Sequence, residues 1–181
     1  MVTVLFGMVS QANAIPLTPL TYADSYYLGY INDGIPSNPA AEVGYINDLT
    51  TLGPGDGLTP IGTETYSRIG STGNSFPPAV LTGAAKEEDG DTGFDNIFDA
   101  TGFSYILGKY DARNAGSWVW YLGDGFIGDV ELPSFFSGGQ YGLSHISAYN
   151  PGTSVPEPAT MFLLGTGLIG LALFGKQRFK K

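Results

Sequence analysis

Seventeen residues in a row, Ala159 to Gly175, carry no charge, and Lys176, Arg178, Lys180 and Lys181 follow them at once. No other stretch limits the chain's options so sharply. As a helix it is about 26 Å long at roughly 1.5 Å per residue. A bilayer core is roughly 30 Å thick, so the segment is short but long enough to span. Four cations at its far end hold that end on the cytoplasmic side. The residues before it are then expected outside, and the chain divides into an external body and a membrane segment.

Directly before the helix stands Val155-Pro156-Glu157-Pro158, and the helix opens Ala159-Thr160-Met161-Phe162-Leu163-Leu164-Gly165. A lone Pro-Glu-Pro carries no information. The ordered set of motif (155–158), Gly/Leu-rich transmembrane helix (159–175) and basic tail (176–181) resembles the PEP-CTERM sorting signal. That resemblance implies an exported protein of a Gram-negative bacterium, cut at or near Val155, Pro156, Glu157 and Pro158 by an exosortase-like membrane transpeptidase. It also implies a transient anchor in the inner membrane, followed by delivery to the cell surface or to an extracellular matrix containing exopolysaccharide.

The opposite terminus fits export. Met1 to Val9 is mostly apolar, and Ala12-Asn13-Ala14 is a small-x-small cleavage site, so Ile15 is expected to begin the mature chain. Residues 1–14 then read as a partial signal peptide. The apolar run is short and lacks a basic leader, so the gene is expected to begin upstream with Lys or Arg.

Residues 15–154 are left as one external domain of 140 residues, enough to bury a core without staples. The chain has no cysteine, so its stability rests on packing. Sixteen acids against Arg68, Lys86, Lys109 and Arg113 give the body a charge of −12. Such a surface is repelled by nucleic acid and by anionic lipid. It suits a hydrated polysaccharide layer or divalent cations, although solubility alone accounts for it.

Short apolar runs separated by Gly, Pro, Ser, Thr, Asn and Asp predict a mainly β body, an antiparallel β-sandwich of jelly-roll-like type with one short helix. The strongest strands are Phe103 to Tyr110 and Ser117 to Leu122, rich in aromatic and β-branched residues and joined as a hairpin by a turn at Asp111 to Gly116. Large side chains on both faces place that pair centrally. Further strands are expected at Tyr26 to Ile31, Thr63 to Ile69, Ala79 to Ala85, Asn96 to Ala100, Gly128 to Leu132 and Leu143 to Tyr149. The helix starts at an Asn38 cap with Pro39 behind it and stops at Gly53. Val43, Ile46, Leu49 and Leu52 supply its apolar face. The words Tyr30-Ile31-Asn32-Asp33 and Tyr45-Ile46-Asn47-Asp48 recur 15 residues apart. Two copies are too few for a repeat architecture.

The second half of the body, in Phe103 to Asp111, Trp118 to Leu122, Gly142 to His145 and Tyr149-Asn150, resembles the ectodomain of a common group of PEP-CTERM proteins. The resemblance implies a shared β-rich fold and transfers no active site.

The chemistry legible in the body is sparse. His145 is the chain's one histidine. Its neighbour Ser144 points to the opposite face of a strand, so the two do not form a nucleophile and base. His145 is expected to be a hydrogen-bonded structural residue. Glu87, Glu88, Asp89, Asp91 and Asp95 are dense enough for a calcium site of oxygen ligands. Their spacing misses the EF-hand pattern, and a solvated acidic loop is the preferred reading, with no cofactor. Trp118 and Trp120 share one face of their strand. That face is either a glycan platform or, preferably, core. The chain is expected to be a non-catalytic structural or adhesive protein. The alternative is a carbohydrate-binding, lectin-like module, calcium-dependent in one form. A glycosidase, which needs paired carboxylates in a cleft, comes third.

Overall fold

A computed structural model of the protein describes residues 16–32, 35–36, 38–69, 75–88, 95–111, 116–136 and 141–151. The body is built on two sheets. Its elements are β1 (Leu17–Pro19), β2 (Tyr27–Asn32), α1 (Pro39–Thr51), β3 (Thr59–Ile61), β4 (Glu64–Arg68), β5 (Ala85–Glu88), β6 (Ile97–Asp99), β7 (Phe103–Tyr110), β8 (Ser117–Tyr121), β9 (Asp129–Glu131) and β10 (Leu143–Pro151). Seven strands form one antiparallel sheet in the order β3-β4-β2-β8-β7-β10-β5, and three form the other in the order β1-β9-β6.

The predicted hairpin is the middle of the large sheet. β7 and β8 pair antiparallel, Ile106 opposite Trp120 and Gly108 opposite Trp118, with β2 and β10 on either side. Alternation then sends Ile106, Tyr110, Trp118 and Trp120 to one face, and Tyr105, Leu107 and Val119 to the other. A bulge between Leu143 and His145 resets the phase of β10. Leu143, Ile146 and Ala148 consequently share the tryptophan face, while Tyr149 lies on the other.

Each face has its own cover. The small sheet packs on the tryptophan face through Phe98, Val130 and Leu132. A Cβ on Gly108 would lie 2.7 Å from Leu132, so glycine at this point of β7 is what admits the second layer. The helix covers the other face. Asn38 caps it, its side-chain oxygen accepting from the Ala40 N–H at 2.9 Å, and Pro39 is its first residue. Ile46 and Leu49 are fully buried against Leu28, Ile31, Tyr66 and Tyr105. The two similar words fall in unlike settings: Tyr30 to Asn32 of the first end β2, and the second lies in α1.

The mainly β body with two sheets and one helix is as expected. The layering is not that of a balanced jelly roll: seven strands face three, the helix forms a third layer, and β1 runs parallel to β9. β1 and β3 were not legible because each is three residues long and contains a proline, Pro19 or Pro60. Proline cannot donate to a ladder and is confined to edges, where both strands lie. The strand expected at Ala79 to Ala85 begins only at Ala85. The residues before it are held by side chains instead. Asn47 exchanges two hydrogen bonds with Ala79, accepting from its N–H at 2.7 Å and donating to its carbonyl at 3.2 Å. Asn150 accepts from the Val80 N–H at 2.7 Å and donates to the Pro78 carbonyl at 2.9 Å. Asn150 reaches that position with φ of 56°, a left-handed conformation that Asn tolerates better than most residues. The predicted membrane helix at 159–175 and the signal segment 1–14 lie outside the described residues. Among the described residues, no helix is long and apolar enough to cross a membrane.

Candidate functional site

The face that holds the tryptophans is wider than its cover. Seven strands at about 4.8 Å spacing make a sheet roughly 29 Å across, against roughly 10 Å for three. Leu132 over Gly108 and Phe98 beside Phe103 place the small sheet over β7. Toward β2 and β4 the large sheet is left open, and a cleft of about 370 Å³ forms there. Tyr22, Tyr27, Tyr30, Asn32, Ile69, Trp118 and Phe136 line it. None of these side chains carries a charge at neutral pH. Burial, and then the neighbouring Tyr30, pushes the Tyr27 hydroxyl well above the usual phenol range, so it stays a neutral donor.

Trp118 and Trp120, read preferably as core and alternatively as a glycan platform, do not stand free in solvent. Trp120 is fully buried and donates its indole N–H to the Thr21 carbonyl at 3.0 Å. Trp118 is 5% exposed and packs among rings, 5.1 Å from Tyr110 and 4.9 Å from Phe136 between centroids. The tryptophan face is core, and only an edge of Trp118 reaches the cleft. The exposed aromatic of the cleft is Tyr22, 65% accessible, with its ring 6.0 Å from that of Trp118. Sequence reasoning missed Tyr22, Tyr30 and Asn32, because a cleft made by two sheets of unequal width leaves no local pattern.

His145 is a buried structural residue, and its partner comes from the helix. Its Nε2 lies 2.8 Å from Glu42 Oε1, and the Tyr149 hydroxyl donates to the other carboxylate oxygen. Glu42 is 0% exposed and His145 2%, which closes the group to any substrate. Burial pushes the Glu42 carboxyl upward, but the hydrogen bonds from His145 and Tyr149 outweigh it and hold the group below the usual carboxylate range. Burial, and then that same carboxylate, raises Tyr149. Glu42 was readable in principle. It stands four residues before Ile46 and seven before Leu49, on the helix face that packs on the sheet. Ser144 stands at the bulge of β10 between Leu143 and His145.

The acidic candidates do not converge among the described residues. Glu87 and Glu88 are neighbours on the edge strand β5, opposite Ile146 and His145, so they project to opposite faces. Glu88 forms an ion pair with Lys86. Asp95 is exposed and accepts from the Ile97 N–H at 2.7 Å. Asp89 and Asp91 lie outside the described residues. Among the described residues no group of three His, Cys, Asp or Glu side chains is placed to hold a metal ion.

The remaining candidates are defined by where the body stops. β10 is an inner strand, held by β7 on one side and β5 on the other, and it runs to Pro151 opposite Phe103. Four residue steps later comes Val155. Residues 154–178 match the family model of the PEP-CTERM protein-sorting motif. The chain carries a PEP-CTERM sorting signal. That signal implies export, transient anchoring through the C-terminal segment and processing by an exosortase-like membrane enzyme. No curated protein and no solved structure matches the chain. Val155, Pro156, Glu157 and Pro158, the tail residues Lys176, Arg178, Lys180 and Lys181, and Ala12 and Ala14 of the signal cleavage site all lie outside the described residues.

Proposed function

We propose that this is a non-catalytic surface or extracellular-matrix protein with a structural or adhesive role, delivered by an exosortase-like system and cut at or near Pro158. One observation carries the reading: the sorting signal follows an inner strand of a packed body almost without a linker. Such a body is built to be held by its C-terminal end. The placement of both tryptophans in the core supports a structural role over an open sugar platform. Solvated carboxylates without a resident cofactor complete this reading and suit a hydrated polysaccharide matrix. Intact mass of protein isolated from the cell surface is expected to correspond to a chain from Ile15 to near Pro158. Surface protein that still contains Lys180 and Lys181 would defeat the processing part of the proposal.

A second reading is favoured by the cleft. An aromatic hollow of a few hundred Å³ with a few hydroxyl and amide groups is a usual ligand site, and its uncharged lining suits a neutral sugar. Tyr22 tests this cleanly, because it is mostly exposed and contributes little to the core. Tyr22→Ala is expected to leave the melting temperature within a degree or two while weakening retention on a neutral polysaccharide column. Unchanged retention removes the cleft from consideration and leaves the structural reading alone. A glycosidase is not favoured, since the residues lining this cleft include no carboxylate.

A further inference from the structure

Three of the nine large apolar side chains exposed among the described residues, Val80, Leu81 and Ile127, belong to segments bonded at one end of the large sheet. β10 leaves the body at Pro151, beside the start of β7 at Phe103. Val80 is bonded through its backbone to Asn150, one residue earlier, and is 46% exposed; Leu81 after it is 48% exposed. Ile127, 71% exposed, follows Phe126, whose carbonyl accepts from the N–H of Gly102, the residue before Phe103. Val80, Leu81 and Ile127 therefore stand around the point where the chain departs for its sorting signal.

The tether is too short for that end to be a bystander. From Pro151 to Val155 is four residue steps, at most roughly 14 Å of extended chain. Any enzyme that closes on the motif brings its own surface to within that distance of Val80, Leu81 and Ile127. We infer that the sheet end bearing Val80, Leu81 and Ile127 is a docking surface for the membrane enzyme that processes the sorting signal. The inference rests on the reading that such an enzyme cuts at the motif. The bilayer itself is the poorer occupant. Asp99 and Asp124 are exposed at the same end, and carboxylates there are repelled by anionic headgroups. An apolar contact fringed by acids fits a protein surface that is apolar and basic.

The test is made on the full chain in cells that process it, by following conversion of precursor to cut product after a pulse label. Val80→Asp, Leu81→Asp and Ile127→Asp together are expected to slow conversion about fivefold or more, as for the loss of central interface contacts. Phe135→Asp, equally exposed but near Gly142 at the opposite end, is expected to convert at the wild-type rate. Melting of the mature triple variant, purified from cells, is expected to match wild type, which separates docking from misfolding. A triple variant that is folded and cut at the wild-type rate overturns the inference while leaving processing intact. Wild-type chain that is never cut overturns the processing reading beneath it. Mature wild-type protein that binds vesicles of bacterial lipid, with binding lost in the triple variant, assigns the surface to the membrane instead and also overturns the proposal.

Discussion

Trp120→Ala is expected to cost the body about 3–5 kcal/mol, the usual range for truncating a buried aromatic. The ring is fully buried, its N–H is bonded to the Thr21 carbonyl, and it packs against Tyr27 at 6.1 Å and Trp118 at 6.0 Å between centroids. Alanine leaves a large cavity between two sheets and an unpartnered carbonyl. A typical domain is held by roughly 5–15 kcal/mol, and this chain has no cysteine with which to cross-link the unfolded state. Trp118→Ala is expected to cost less, because that ring already borders the cleft and solvent can occupy part of the vacated space. The sequence alone predicts that the two variants behave alike, since the spacing puts both rings on one face. Their surroundings separate them: Trp120 is fully buried and bonded to the Thr21 carbonyl, while Trp118 borders the cleft beside Tyr22 and Tyr30. Urea unfolding of the mature forms checks this. Equal, near-wild-type midpoints for both variants would remove the tryptophans from the core and return the body to the lectin reading.

What was legible in the chain follows a physical divide. The hairpin and the helix with its Asn38 cap are each encoded locally, by alternation or by capping chemistry, so neighbouring residues suffice to read them. The cleft depends on how far one sheet extends past another. The partner of His145 lies 103 positions away in α1. The conformation of residues 78–80 is held by the amides of Asn47 and Asn150, donors and acceptors that any loop also contains. Pairings of this kind are set by tertiary placement, and composition or periodicity leaves no trace of them. The sorting signal is the reverse case. It is read by another protein as a linear segment, so its meaning is carried by sequence order.

The buried group of Glu42, His145 and Tyr149 supplies the second large effect and the fold's clearest dependence on pH. An ionised carboxylate only accepts, so His145 must present its hydrogen at Nε2, and Tyr149 donates to the second oxygen. Glu42→Ala leaves two buried donors without an acceptor, at about 1–3 kcal/mol each, together with a cavity under the helix. A loss of roughly 2–5 kcal/mol follows. Glu42→Gln keeps the shape and one acceptor and is expected to cost less. The folded carboxyl titrates below its unfolded value of about 4.3, so its contribution is fully present above that value and is lost as pH falls through the folded value. Charged neighbours set the background. Lys109 on β7 is attracted to the same carboxylate, although burial holds its own titration below the usual lysine range. Lys86 and Glu88 on β5 lie beyond it. Denaturant unfolding of wild type and Glu42→Gln at a series of pH values from about 5 to about 3 checks the term, since every other carboxylate is common to both. The stability gap is expected to narrow as pH falls below about 4.3 and the wild-type carboxyl takes up its proton. A gap that stays constant across the series would mean that the ionised state of Glu42 adds nothing, and that α1 is held to β10 by packing alone.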